Sequence, residues 1–234
     1  MKSNFKILAV TLARGGSKKI KKKNIREING KPLIYYTIHE AKKCKLITDY
    51  IISTDSIKIK KTAEQYGASV PFIRPKKYSL DTSSSSSALI HALKFMEKLN
   101  SVKYDYVVEL MCTNPLKNHV DISNVIKKII RTKADTVIAM HKLEDHHPAR
   151  IKKIVNDKIV DFCISEKAES RRQDLRPYAY IRSGSIYAIN RDYLLRTGKR
   201  YGSINSRPYI LPSIRAINID HPIDLQYAEI LLKK

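Results

Sequence analysis

Apolar positions along the chain fall into two alternating patterns. Residues 5–12 (FKILAVTL) form a short apolar run that suits a buried strand. A polar loop follows to residue 31. Pro32 suits the first position of a helix, where its missing N–H costs nothing, and Ile34, Ile38 and Ala41 recur at helical spacing. Residues 49–54 predict a second strand ending at Asp55, residues 57–66 a helix stopping at Gly67, and residues 70–73 a short strand closed by Arg74-Pro75. Ser83 to Ser87 precede Leu89, Ala92, Leu93 and Met96 at helical spacing, so the serine run reads as a helix cap rather than a linker. Strands are expected at 104–110 and 135–140, with a helix at 119–132 between them burying Ile122, Val125, Ile126, Ile129 and Ile130.

Residues 141–180 are polar and charged, with β-like pieces at 151–155 and 158–163, and read as an inserted extension. Residues 184–189 (GSIYAI) and 214–219 (IRAINI) predict the last two strands. A final helix from Pro222 is expected to turn Ile223, Tyr227, Ile230 and Leu231 inward. Strands alternating with helices predict one α/β domain over 1–234, a mainly parallel sheet in a three-layer α/β/α arrangement. Ligands of such sheets sit at the carboxyl ends of strands. Residues 14–24, Asp55, residues 111–115 and Asp220 should therefore share one rim.

Composition narrows the function classes. No apolar run approaches the length of a membrane span, and the start reads as a first strand rather than a signal peptide. Cys44, Cys112 and Cys163 are isolated and odd in number, which argues against a disulfide framework and makes the cytoplasm the default location. The formal net charge is +23. Nucleic-acid binding, an anionic substrate and plain lysine-rich composition all accommodate that excess. The local cluster is more telling: residues 14–31 hold eight basic residues against one acid, Glu27. No aromatic residue interleaves with them and no RNA-binding motif is present, which disfavours the nucleic-acid reading.

The first strand runs into Ala13-Arg14-Gly15-Gly16-Ser17-Lys18. Paired glycines let the backbone approach an anion and expose its N–H groups. Arg14 can fork onto phosphate oxygens, and Lys23 can act as a point charge. Neither the Walker A nor the G-x-G-x-x-G spacing occurs. Taken alone, the loop is compatible with a solvated basic turn.

The string A-R-G-G-S-K-x-I-x-x-K-N-I, from Ala13 to Ile25, resembles the signature of the acylneuraminate cytidylyltransferases. Further similarities follow in order: Gly30-Lys31-Pro32-Leu33-Ile34, Ser53-Thr54-Asp55, Pro71-Phe72-Ile73-Arg74-Pro75, Asp81-Thr82-Ser83, residues 110–116, Arg171-Arg172-Gln173-Asp174-Leu175, Gly184-Ser185-Ile186-Tyr187 and residues 217–225. The resemblance implies a Rossmann-like fold of the nucleotide-diphospho-sugar transferase type, and a homodimer in which residues near 141–180 exchange contacts. It implies that CTP and an acidic 2-keto sugar give a CMP-sugar and pyrophosphate, with Mg²⁺ on the phosphates. Ala13, Arg14, Gly15, Gly16, Ser17, Lys23, Asn24, Arg74 and Ser85 would then form the nucleotide site, with Arg14, Lys23 and Asp220 closest to the chemistry. A relative of the same fold acting on another sugar or nucleotide, as in Kdo or guanylyl transfer, is the alternative.

Two departures from the family pattern matter. Relatives often carry Asp-x-Asp where this chain reads Asn218-Ile219-Asp220. Alternate residues on a strand point the same way, so Asn218 and Asp220 could reach one ion. Asp220 is the metal candidate, and Asn218 offers a neutral, weaker oxygen. In the sugar region Met111 replaces a glutamine, and a thioether cannot donate a hydrogen bond. Arg150, Arg172 and Arg182 are the candidates for the sugar's carboxylate.

Overall fold

The computed structural model describes residues 5–233. The chain enters through β1 (Ile7–Leu12). Ile7 and Ala9 pack toward one helical layer, Leu8 and Val10 toward the other. A strand covered on both faces has no use for polar alternation, which explains the continuous apolar run. After the basic loop, β2 (Glu27–Ile28) and β3 (Lys31–Pro32) form a small hairpin around Asn29 and Gly30, both at positive φ as a tight turn requires. Pro32, expected at the first helical position, stands instead at the N-cap of α1 (Leu33–Lys43). Then come β4 (Asp49–Ser53) and α2 (Ile57–Gln65).

The serine run starts α3 (Ser85–Asn100), and Ser84 Oγ accepts from the Ser87 N–H at 3.1 Å. Next are β5 (Tyr106–Leu110), α4 (His119–Thr132), opened by a reciprocal Asn118–Asp121 capping box, and β6 (Thr136–Lys142). The chain leaves the sheet for a hairpin of β7 (Lys152–Val155) and β8 (Lys158–Asp161), then returns through β9 (Tyr180–Asn190). Leu143 N–H donates to Ala179 O at 2.9 Å, closing the base of the excursion. The chain finishes with α5 (Arg191–Thr197), β10 (Ser206–Ile210) and α6 (Pro222–Leu232).

The sheet order is β10-β6-β9-β5-β1-β4. All neighbours are parallel except β9, which is antiparallel to both β5 and β6. The cause is the excursion: it brings the chain back to the end of the sheet it left. One face packs under α3 and α5, the other under α1 and α4, giving three layers.

Three expectations are corrected. Residues 70–73 form no ladder: the segment touches the sheet only by isolated bridges at its two ends, Ser69 to Ile51 and Ile73 to Thr54, and Pro71 between them supplies no ladder N–H. Residues 214–219 form no strand. Their place at the sheet edge is taken by β10, whose Pro208 hid it from a pattern reading although an edge strand tolerates proline. Arg215 is instead drawn to Asp121, and Ile219 is buried against Ile20, Ile28, Leu33 and Ala228. Finally, α6 turns Leu225, Ala228 and Leu232 inward while Ile223, Tyr227 and Ile230 stay exposed. Both sets fit a helical period, so the pattern alone chose the wrong face.

Candidate active site

At the carboxyl ends of β1 and β5 lies a cleft of about 370 Å³. The β1 loop, the segment 74–88 and the turn after β5 line it, bringing together Arg14, Ser17, Lys23, Asn24, Arg74, Ser85 and Met111 from the sequence expectation.

The loop is braced from below. Ala13 is fully buried, and its N–H donates to Ser53 O, so the backbone keeps its strand direction up to Arg14. Gly15 N–H donates to Asp55 Oδ1 at 2.8 Å. A Cβ on Gly15 would lie 3.0 Å from Ser56 Cβ, so glycine is needed for this close approach. A Cβ on Gly16 would meet nothing within 4 Å, so that position is open. Asn24 is buried: its Nδ2 donates to Arg14 O at 2.9 Å, and its Oδ1 accepts from Cys112 Sγ. Burial raises the Cys112 thiol to about 11, which keeps it protonated and poorly nucleophilic.

The cations are held by local carboxylates and dipoles. Asp81 Oδ1 lies 2.7 Å from Arg14 Nη1, and its Oδ2 lies 2.8 Å from Lys18 Nζ. The hydrogen bond from Lys18 leads the effects that hold the Asp81 carboxyl below its ordinary range. Arg74 is only 4% exposed; its N–H donates to Thr54 O and its Nε to Ser79 Oγ. Lys23 Nζ donates to Ile219 O at 2.8 Å and to Asp220 Oδ1 at 3.1 Å. Lys23 thus ties the β1 loop to the chain ahead of α6.

Asn218 and Asp220 meet even though no strand aligns them: Asn218 Nδ2 donates to Asp220 Oδ2. Asn218 Oδ1 is buried without a hydrogen-bond partner. Gly184, at φ 60°, makes room for this amide, since a Cβ there would lie 3.2 Å from it. The half-exposed Asp220 carboxylate suits a hard divalent cation, and the Asn218 amide, whose N–H now faces it, would have to turn over to bring its oxygen to the same ion. The Asp220 N–H and His221 N–H both donate to Asp224 Oδ2, so Asp224 belongs to the start of α6 rather than to the ion.

The remaining predicted residues lie outside this cleft within the subunit. Arg150 pairs with Glu166 and Arg172 with Asp145, both in the excursion. Arg182 stacks 4.0 Å over the Tyr201 ring and lines a neighbouring hollow with Met140, Arg207 and Pro208.

Sequence reasoning missed several structural participants. Lys117 is 1% exposed and donates to Thr37 Oγ1, Met111 O and Asn114 O at 2.6–2.7 Å. Three neutral acceptors saturate the ammonium and pin the turn that carries Met111. Burial pushes its pKa down to about 7. Nothing in Leu116-Lys117-Asn118 distinguishes it from a surface lysine. Glu109, by contrast, is an acid within the apolar run VVELM, and that was a readable signal. It lines the cleft, is 2% exposed and pairs with Arg200.

Residues 8–229 match the family model described as Cytidylyltransferase. The pseudaminic acid cytidylyltransferase of Campylobacter jejuni is 32% identical over 236 residues, covering 98% of this chain and 97% of that protein. The CMP-N,N'-diacetyllegionaminic acid synthase of Legionella pneumophila is 31% identical over 241 residues, with 98% and 97% covered. Among solved structures, a CMP:2-keto-3-deoxy-manno-octonic acid synthetase complexed with CTP superposes with a TM-score of 0.69 at 18% identity, covering 97% of this chain and 98% of that one. The 4-diphosphocytidyl-2C-methyl-D-erythritol synthase of Anaerococcus prevotii gives 0.67 at 16%, covering 99% and 100%. These two support the fold alone. The match along nearly all of the chain, over a cleft whose cations converge beside a strand-end glycine loop, places this protein in the cytidylyltransferase family.

Proposed function

We propose that the protein activates a nonulosonic acid, a sialic acid-like 2-keto sugar acid, with CTP. The products are the CMP-sugar and pyrophosphate. The observation that carries the reading is the convergence of Arg14, Ser17, Lys23 and Arg74 on one cleft at the strand ends, in a chain whose full-length relatives are named for pseudaminic and legionaminic acid. The sugar's anomeric hydroxyl oxygen forms a bond to the α-phosphorus as the bond from that phosphorus to the bridging oxygen breaks. The hydroxyl proton is lost, and pyrophosphate departs.

Such a transfer needs positioning and positive charge more than covalent help. Ser17, the Gly16 backbone and the cations Arg14 and Lys23 supply both at the triphosphate, while Gly15, its N–H held by Asp55, shapes the turn. Arg74 and Ser85, on the segment 74–88, serve the base and the adjoining phosphates. Asp220 and Asn218 would hold Mg²⁺, which when bound neutralises charge on the phosphates. Met111 presents a thioether toward the sugar, so the sugar's polar groups must find their partners elsewhere in the cleft.

The exposed apolar side chains of the β7–β8 hairpin support a homodimer. Arg150 and Arg172 sit in that excursion, so they reach a sugar only where two subunits meet. No helix among the described residues is long and apolar enough to cross a membrane.

The test is pyrophosphate release from a panel of nucleotides and sugar acids with Mg²⁺. Turnover is expected with CTP and at least one nonulosonic acid. Absence of turnover with every nonulosonic acid and with Kdo overturns the reading.

A further inference from the structure

Glu109 stands where the fold has no structural use for an acid. Along β5, Val108 and Leu110 face the α1–α4 layer, and Val107 faces the α3–α5 layer. Alternation places Glu109 with Val107, beside Ala88 of α3 and in register with Tyr187 of β9. Its neighbours on that face are otherwise apolar or aromatic. Burial raises its carboxyl, and Arg200 opposes that rise.

Arg200 Nη1 donates to Glu109 Oε2. The Arg200 guanidinium lies 4.8 Å from the Tyr187 ring centre and 5.7 Å from that of Tyr201, and Arg182 covers Tyr201. The carboxylate is therefore fixed from one side by a stack of guanidinium and aromatic groups. Glu109 Oε1 makes no hydrogen bond among the described residues. A buried ion pair seldom outdoes an apolar pair of equal volume in stability, so folding alone does not account for this one. Nor does anion binding, since a carboxylate repels both triphosphate and sugar carboxylate. What it can do is accept a hydrogen bond from a neutral donor.

Position decides which donor. Arg74 follows the bridge of Ile73 to Thr54 on the β4 side of the cleft, while Glu109 lies on β5, against β9 and two residues before Met111. Resting on the function proposed above, we infer that Glu109, oriented by Arg200, is the acceptor that reads a hydroxyl or acylamino N–H on the sugar acid. It supplies the polar contact that the Met111 thioether cannot. The sugar's own carboxylate is then turned away from Glu109, toward cations.

The test compares Glu109→Gln, Glu109→Leu and the double variant Glu109→Leu/Arg200→Leu with the wild type, using CTP and the nonulosonic acid turned over fastest. The double variant replaces the buried pair by apolar groups, so no lone charge is left to unfold the protein. CTP binding by calorimetry reports that the nucleotide half is intact. Both leucine variants should lose about 10-fold or more in kcat/KM for the sugar, with KM for CTP within about twofold, while glutamine, which keeps an acceptor oxygen, loses less. An unchanged sugar kcat/KM in the double variant overturns the inference. A loss that falls on CTP instead overturns it too, by moving Glu109 to the nucleotide. A wild type that turns over CTP with no sugar acid removes the functional reading, and the inference with it.

Discussion

Lys23 Nζ lies 3.1 Å from Asp220 Oδ1 and 2.8 Å from Ile219 O, joining residues almost 200 positions apart. The amine closes the cleft between the glycine loop and the proposed metal ligands. It is only 17% exposed, so its charge is poorly screened. Lys23→Ala should lower kcat/KM by about 100-fold or more, the scale on which preorganised charge stabilisers act. Circular dichroism should stay unchanged, because the lysine contributes little to the core. Near-normal turnover would remove Lys23 from the site.

Asp81 pairs with Arg14, proposed above for the triphosphate, and with Lys18. Its side chain is half exposed, so the contacts with Arg14 and Lys18 are weak and exchangeable. Asp81→Asn should tighten CTP binding about threefold at low ionic strength, with the gain shrinking as salt rises. Calorimetric titration at two salt concentrations checks this. Weaker binding in the variant would mean that Asp81 orients Arg14 rather than competing for it.

The capped helices were legible because local chemistry determines them: Ser84 caps α3, and the α4 stripe faces the core. The glycine pair read as an anion-binding turn, whereas Gly15 passes close to Ser56 and gives its N–H to Asp55, partners the local sequence does not show. The site's depth was less legible, because it depends on long-range partners. Lys117 looks like a surface residue until Thr37, Met111 and Asn114 surround it. Asn218 and Asp220 were expected to converge through strand alternation. They converge through a side-chain hydrogen bond and the space left by Gly184, neither of which shows in a hydrophobic pattern. Pro208 hid an edge strand, and α6 carried two apolar faces, so burial there had to be decided by the neighbours.

The Asn218 amide makes the metal site testable in both directions. A carboxylate binds Mg²⁺ more strongly than an amide does, but without metal it would face Asp220 at hydrogen-bonding distance. Asn218→Asp should therefore lower the Mg²⁺ concentration for half-maximal activity by about tenfold. It should also lower the melting temperature in EDTA and recover it with Mg²⁺. Asp220→Asn should do the opposite and demand more Mg²⁺. If neither variant shifts the Mg²⁺ dependence, the ion is held elsewhere.

Acid sensitivity should concentrate at Glu40, which joins α1 to the start of α4. Burial pushes this carboxyl up, but Lys43 Nζ, the His119 N–H and the His119 ring outweigh it and bring it down to about 2. A folded pKa below the unfolded value of about 4.3 means the contribution is complete above that pH and is lost as pH falls toward 2. Glu40→Gln should be less stable than wild type at neutral pH and lose less on acidification through that window. Urea unfolding at several pH values measures the difference. Parallel curves would assign the acid response to other carboxylates.

The β7–β8 hairpin leaves Ile154, Ile159 and Phe162 at 69, 75 and 62% exposure. Ile154 and Ile159 are cross-strand partners, and exposed apolar side chains of this size suit an interface better than a solvated surface. Sedimentation of the wild type should give twice the chain mass, and Ile159→Asp with Phe162→Asp should give the single-chain mass. The catalytic consequence separates two roles for the hairpin. If Arg150 and Arg172 serve a neighbouring cleft, the monomeric variant keeps CTP affinity, because the nucleotide residues lie within one subunit, but loses sugar turnover. If the hairpin only holds subunits together, both survive dissociation. A wild type that sediments as a single chain would overturn the dimer and leave those two arginines without a route to substrate.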